Sequence, residues 1–312
     1  MSNPTIVVAG SINMDVVSRV DQFPRPGETV HGSEAQYMPG GKGANQAVAA
    51  AQAGASTRMI GAVGTDGFGG QLLGAIEARG AAVAEVSVIE GASGLALITV
   101  SETGENQIVL CAGANGKVAG TEIEAMERLL GEAGAVLLQN EIPWSANTSF
   151  MRKASAAAVP VIYNPAPAAK LDAAILPLID TIVLNETETE AITGIAPEDD
   201  ASLRSAAEWF LSGGIRAVII TLGADGCFYQ DAGGESCRLQ AYRLQPVDTT
   251  AAGDTFIGAY AAVRYGGITA DASPQAALRY ATAAAALSVT KLGAQASIPA
   301  MADVLAFMSS SD

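Results

Sequence analysis

The sequence contains a single histidine, His31, and that scarcity removes whole classes of chemistry. A multi-histidine metal centre cannot be built from it, and a Ser–His–Asp triad would have to rest on that one residue. His31 precedes Gly32 in a polar setting and reads as a surface residue, so any general base is expected to be a carboxylate. Positive charge is scarce too: 17 Lys and Arg stand against 32 Asp and Glu, a formal net charge of −15. Nucleic-acid binding needs a basic footprint, and the sequence has none. An acidic chain can still take an anionic ligand, but phosphate must then be held locally by backbone dipoles, a metal ion and a few cations. The cysteines, Cys111, Cys227 and Cys237, are odd in number and spaced for neither a metal site nor a disulfide framework. They read as free thiols in a reducing cytosol. No apolar run is long enough to span a membrane, and the start, MSNPTIVVAG, lacks the flank and apolar stretch of a signal peptide. The expected location is cytoplasmic, with no membrane partner.

What the chain does have is apolar bulk: 49% of its 312 residues are hydrophobic, ample for a sizeable core. Short apolar runs (5–10, 56–64, 135–139, 159–164, 181–185 and 217–223) alternate with helical patterns (43–54, 69–80, 121–132, 146–157, 187–193 and 202–213). Alanine-rich helices near 252–266 and 274–290 close the chain. This alternation predicts an α/β fold with a buried, mainly parallel sheet covered on both faces. Two segments break the rhythm, 14–38 and 86–111. Both read as extended and are expected to form a small antiparallel sheet inserted into the core. LALITV (95–100) and QIVLC (107–111) are too apolar to be wet on both faces, so that sheet must cover a ligand, the core or a partner subunit. With no linker and no repeat, residues 1–312 are expected to be one domain with a lid.

Five polar clusters follow core strands. In DTTAAGDTF (248–256), small residues precede a helix whose first N–H groups are left open for an anion, and Asp254 stands among them. Alone, Asp254 could be an ordinary helix-start residue. PGGKGANQA (39–47) is a glycine turn into a helix with Lys42 and Asn45; it is not a Walker A loop, because Lys42 precedes Gly43, and a tight strand–helix turn is the plain alternative. GSINMD (10–15) sets Asn13 and Asp15 on one side of an extended segment, either in the ligand crevice or as a polar loop exit. NETETE (185–190) places Asn185 and Glu188 three apart, as a phosphate and Mg²⁺ site or a helix capping box. TLGADG (221–226) is a strand ending in a glycine turn that either admits a nucleotide or forms a tight hairpin.

Taken in order with NPAP (164–167) and GAQAS (293–297), these motifs resemble those of the ribokinase-like carbohydrate kinases from about residue 5 to the C-terminus. The resemblance implies a three-layer fold with a lid, and transfer of the γ-phosphoryl of ATP to the 5-hydroxyl of ribose. Another sugar or a nucleoside is the alternative acceptor, and a sugar sensor without turnover is the alternative class. By matched position, Asp254 is the implied catalytic base, and Ala251, Ala252 and Gly253 supply anion-hole amides. Asn13, Asp15, Gly41, Lys42, Asn45 and Glu141 (in QNEIP) surround the sugar. Asn185, Thr221, Gly223 and Gly226 lie along the nucleotide, Thr282 stands where some relatives carry a His or Asn beside the adenine, and Glu188 lies near Mg²⁺. The resemblance further implies a K⁺ site from Asp248, Thr250, Ser288, Lys291, Gly293 and Ser297, and a homodimer through the lid.

Overall fold

Stretches rich in β-branched residues form the strands and alanine-rich stretches the helices. The computed structural model describes residues 3–33 and 35–311. In chain order the strands are β1 (Thr5–Ala9), β2 (Asn13–Val20), β3 (Gln36–Gly40), β4 (Thr57–Gly64), β5 (Ala82–Ile89), β6 (Gly94–Ser101), β7 (Asn106–Cys111), β8 (Ala133–Gln139), β9 (Val161–Asn164), β10 (Thr181–Asn185), β11 (Ala217–Thr221), β12 (Cys227–Asp231) and β13 (Ser236–Leu239). The helices are α1 (Lys42–Gln52), α2 (Gly69–Ala78), α3 (Gly120–Leu129), α4 (Trp144–Ala156), α5 (Glu186–Thr193), α6 (Asp200–Ser212), α7 (Ala252–Tyr265), α8 (Pro274–Ser288), α9 (Ala294–Ser297) and α10 (Met301–Ser311).

The large sheet runs β13-β12-β11-β10-β9-β8-β1-β4-β5. Pairing is parallel from β11 to β5, and β12 and β13 turn back antiparallel at one edge. β1 lies inside it, and its side chains alternate between two cores. Ile6 and Val8 belong to the core shared with α1, α7 and α8, while Val7 and Ala9 belong to the one shared with α3, α4 and α6. Each such Ile or Val, wholly removed from water, stabilises the fold by about 1.5–3 kcal/mol. The absence of side-chain bulk matters as much on the helices. A Cβ on Gly258 of α7 would lie 2.4 Å from the Gln46 carbonyl oxygen and 2.6 Å from the Ala49 Cβ of α1. The bare α-carbon therefore lets α7 press against α1, and Asp254, one turn earlier on the same face of α7, is carried to the start of α1.

The small sheet, β3-β2-β6-β7, corrects the sequence-based expectation in two ways. It is not antiparallel throughout, because β2 and β6 pair parallel from Asn13↔Gly94 to Val20↔Ser101. The segment 86–111 is also not all lid. Residues 86–89 belong to β5, which pairs with β4 at the edge of the large sheet, and the turn at Glu90-Gly91 joins the two sheets. A short apolar run shows that a strand exists but not which sheet receives it. Similarly, 14–38 is two strands, β2 and β3, around a loop. TLGADG forms a tight hairpin: Leu222 N–H donates to the Gly226 carbonyl at 2.8 Å, and β12 returns along β11.

Candidate active site

The site begins with an unusual residue. Ala251, the residue before α7, has φ 59° and ψ 12°, a left-handed conformation that costs a residue with a Cβ about 1–3 kcal/mol. The bend starts α7 abruptly, with no side-chain cap. Of the three amides expected to hold an anion, that of Ala252 donates to the Thr249 carbonyl at 3.3 Å, whereas among the described residues those of Ala251 and Gly253, and also that of Asp254, find no acceptor in the chain. They form an anion-seeking turn at the positive end of the helix dipole. A Cβ on Gly253 would meet nothing within 4 Å, so there is open space in front of that turn.

Asp254 is 7% exposed and firmly held. Asn45 Nδ2 donates to its Oδ2 at 3.0 Å and Gln46 Nε2 to its Oδ1 at 3.0 Å. Gln46 in turn accepts from Gln139 Nε2 at 2.7 Å. The turn opens into a cleft of about 230 Å³ lined by Lys42, Asn164, Asn185, Glu188, Thr221, Thr249, Ala251, Ala252, Gly253 and Asp254, with Val183, Leu184 and Ile257 below. Burial pulls the Lys42 ammonium down, but the carboxylates of Asp254, Glu141, Glu188 and Asp15 outweigh it and its pKa is raised. It therefore stays a cation. Burial raises the pKa of Glu188, although the Asn185 N–H and Lys42 favour its charge.

On the other side of Asp254, the strand ends gather a second polar group. The helix start at Lys42 is closed by acceptors from the loops that follow β1 and β8. Glu141 Oε2 accepts from Ser11 Oγ at 2.5 Å and Lys42 N–H at 3.3 Å, and the Ser11 carbonyl accepts Ala44 N–H at 2.9 Å. This crossing requires glycines. A Cβ on Gly43 would lie 2.6–2.7 Å from the Gly10 backbone, and Gly41 sits at φ 91°. Asn13 is fixed by Asn115, whose Nδ2 donates to its Oδ1 at 2.7 Å. Asn13 and Glu141 also line a cavity of about 350 Å³ that reaches Leu110 and Cys111 of the small sheet.

An acid on an anion-binding helix turn, a cation beside it and a polar pocket of hydroxyl-matching groups are the parts of a phosphoryl-transfer site for an alcohol. A model of the pfkB family of carbohydrate kinases matches residues 3–301. The chain belongs to that family. It is 40% identical over 305 residues to the ribokinase of Haemophilus influenzae, covering 97% of this chain and 98% of the relative. It is 40% identical over 310 residues to the ribokinase of Schizosaccharomyces pombe, with 96% of each covered. Its fold matches a solved structure of Arabidopsis thaliana ribokinase complexed with ribose and ATP at TM-score 0.90, with 31% identity and 99% of both chains covered.

As a pfkB carbohydrate kinase the protein is a phosphotransferase with an alcohol acceptor. Eight of the residues singled out from its sequence share the 230 Å³ cleft: Lys42, Asn185, Glu188, Thr221, Ala251, Ala252, Gly253 and Asp254. Asn45 touches Asp254 directly. Asn185 and Glu188 do form the capping box, with bonds of 2.8 and 3.0 Å, and they line the cleft as well. Gly223 leaves open space, whereas a Cβ on Gly226 would strike the Leu239 carbonyl at 1.9 Å, which gives that glycine a hairpin role. Thr282 lies apart from the cleft lining; its hydroxyl donates to the Leu278 carbonyl at 2.8 Å, beside Cys227. Asp248 anchors a neighbouring loop. Its Oδ1 accepts from the Thr250 N–H and hydroxyl at 2.9 and 2.6 Å, and its Oδ2 from Gly293 N–H at 2.9 Å. Ser288 and Ser297 are buried on the adjoining helices and Lys291 is exposed. Sequence reasoning missed Ser11, Gln46, Asn115, Gln139 and Thr249, and gave Asn164 no role. All but Asn115 sit inside quoted motifs, Ser11 in GSINMD, Gln46 in PGGKGANQA, Gln139 in QNEIP, Asn164 in NPAP and Thr249 in DTTAAGDTF, but nothing in those motifs singles them out; nothing local marks Asn115.

The charge of Asp15 is costly to bury. Burial, then the Glu141 and Asp254 charges, raise its carboxyl from 3.8 to about 7, with Lys42 pulling the other way. Unfolded, the group is ionised above about pH 4. Between pH 4 and 7 the folded chain therefore holds the extra proton, and stability falls as pH rises through that window, levelling off above it. Asp15→Asn is expected to remove that pH dependence and, at pH 8, to stabilise the sugar-free protein by about 2–4 kcal/mol while weakening sugar binding. Denaturant unfolding at pH 5 and pH 8 checks it; an unchanged slope with pH in the variant would contradict the burial of this charge.

Proposed function

We propose that this kinase transfers the γ-phosphoryl of ATP to the 5-hydroxyl of D-ribose, giving ADP and ribose 5-phosphate. The observation that carries the reading is the placement of Asp254: its carboxylate, held by Asn45 and Gln46, lies within the first turn of α7, whose free N–H groups face the cleft. The ribokinases at 40% identity and the likeness to the ribose- and ATP-complexed structure support ribose and ATP as the pair. Asn13, Asp15, Asn45 and Glu141 offer amides and carboxylates to sugar hydroxyls. Asn45 Oδ1 is buried without a partner, which fits a donor arriving with the ligand.

In this reading Asp254 takes the hydroxyl proton as the sugar oxygen bonds to phosphorus, and the bond to the bridging oxygen of ADP breaks. The N–H groups of Gly253 and Asp254 hold the migrating negative charge, and Lys42 offsets its repulsion from the acid. Among the described residues no cluster of three His, Cys, Asp or Glu could hold a metal alone. Glu188 has one oxygen free of its capping bond, which suits Mg²⁺ that arrives with the nucleotide and is reached through water. When bound, Mg²⁺ supplies charge neutralisation of the phosphates. Asp248 uses three acceptor positions of about four, and the hydroxyls of Ser288 and Ser297 donate to their own helices, leaving oxygen lone pairs. This all-oxygen set fits a monovalent cation such as K⁺, with Thr250, Lys291 and Gly293 adding backbone carbonyls. The small sheet is assigned as a lid over the sugar and as a homodimer contact. Leu97, Ile108, Val109 and Leu110 are 43–59% exposed on it, an apolar surface that needs a cover. Free thiols suit a cytoplasmic setting.

ADP release should be measured with ATP and a panel of sugars and nucleosides, in K⁺ and in Na⁺. Ribose is expected to give the highest kcat/KM, and K⁺ a faster rate than Na⁺. A nucleoside with far higher kcat/KM would overturn the ribose assignment, and equal rates in the two salts the Asp248 assignment. Binding of ribose and ATP without ADP release would mean a sensor.

A further inference from the structure

The two oxygens of Asp254 are held by neighbouring residues of α1, yet the two holds differ in kind. Gln46, which bonds Oδ1, is wholly buried. Its own carbonyl oxygen is fixed from behind by Gln139 Nε2 at 2.7 Å, and Gln139 is wholly buried too. The main chain of Gln139 is pinned in turn, its carbonyl accepting from Asn147 Nδ2 at 2.7 Å. Space around this chain is closed: a Cβ on Gly10 would lie 2.0 Å from Gln139 Oε1, and one on Gly258 would lie 2.4 Å from the Gln46 main-chain oxygen. The anion also sets the direction of the amides. A carboxylate accepts only, so Gln46 must point its N–H₂ at Asp254 and its oxygen at Gln139. Asn45 holds Oδ2 at the same distance, but nothing bonds its own Oδ1, buried though it is. Its amide can turn to an incoming hydroxyl at little cost, whereas that of Gln46 cannot.

We infer that Gln46 is the positioning residue of the base: it locks Oδ1 of Asp254 so that Oδ2 is the oxygen that receives the sugar proton. This rests on the reading of Asp254 as the base. In the step, the sugar O–H bond breaks, the proton joins Oδ2, and the freed oxygen pair forms the bond to phosphorus while the leaving pair goes to ADP. Asn45 gives up its hold on Oδ2 and meets the sugar instead. Gln46 keeps its bond throughout and touches neither substrate. Lys42, Asp15 and Glu188 also act electrostatically with Asp254, and Glu141 acts on Lys42 and Asp15; the test leaves all four in place.

The test compares Gln46→Met, the double variant Gln46→Met/Gln139→Met, Asn45→Ala and Asp254→Asn. The double variant leaves no orphaned amide behind and so protects the fold if the single one is unstable. Removing one oriented hydrogen bond to a charge is expected to lower kcat about 10- to 100-fold in both Gln46 variants, with sugar KM within about threefold. The acid limb of the kcat–pH profile is expected to move to higher pH by about one unit, because the anion has lost a donor. Asn45→Ala is expected to act mainly on sugar KM. A loss in the Gln46 variants confined to sugar KM, or a fall in kcat with the acid limb unmoved in the double variant, overturns the inference, as does unchanged turnover. If Asp254→Asn itself turns over normally, it is the base assignment that fails.

Discussion

Asp254→Asn is expected to lower kcat by about 100-fold or more while ribose and ATP still bind. The residue sits where the hydroxyl and the phosphoryl group must meet, and it is the carboxylate lining the cleft on the helix turn itself. The amide keeps the shape but cannot take a proton. Its remaining oxygen can accept from Asn45 or Gln46, not both, so one buried donor is left facing an N–H₂ group. That costs about 1–3 kcal/mol of stability, enough to see in Tm and far short of unfolding a large α/β core. The sugar contacts assigned to Asn13, Asp15 and Glu141 do not pass through residue 254. Calorimetric titration with ribose and single-turnover kinetics separate binding from chemistry. Near-normal turnover would place the base elsewhere.

Gly253→Ala should produce the opposite pairing of stability and activity from most buried glycine substitutions. The added Cβ meets nothing within 4 Å in the empty protein, and alanine is the better helix former, so Tm should hold or rise slightly. The same methyl enters the open space in front of the turn that the phosphate is assigned to occupy. A phosphoryl group pushed off by about 1 Å is expected to lose on the order of 100-fold in rate. Gly43→Ala is the control, because its Cβ would strike the Gly10 backbone at 2.6–2.7 Å and damage the fold itself. Wild-type turnover in Gly253→Ala would show that the anion docks somewhere else.

Local chemistry made most of the scaffold readable. A short apolar run rich in β-branched residues, such as that in TIVLN, reads as a strand buried on both faces, and β10 is one. The cluster at Ala251–Asp254 was legible because small residues before a helix leave donors open, and α7 starts there. The capping box of Asn185 and Glu188 is found, and because it stands at a strand's carboxyl end it is also a wall of the crevice, where the proposed phosphate and Mg²⁺ role would act. What stayed hidden depends on pairs far apart in the chain. The Gln46–Gln139 bond joins residues 93 apart, Ile12–Asn115 103 apart and Ser11–Glu141 130 apart. No periodicity encodes such partners. Residues 86–89, expected in the lid, fall at the end of β5 in the large sheet for the same reason: Val86 meets Gly61 only because β4 is already in place.

The most direct test of the account is a crystal structure of the protein with ribose and a non-hydrolysable ATP analogue. The account predicts the Asp254 carboxylate within about 2.6–3.2 Å of the 5-hydroxyl, with terminal phosphate oxygens on the first N–H groups of α7. An Asp254 turned away from the sugar, or a helix start filled by protein atoms instead of phosphate, would contradict it.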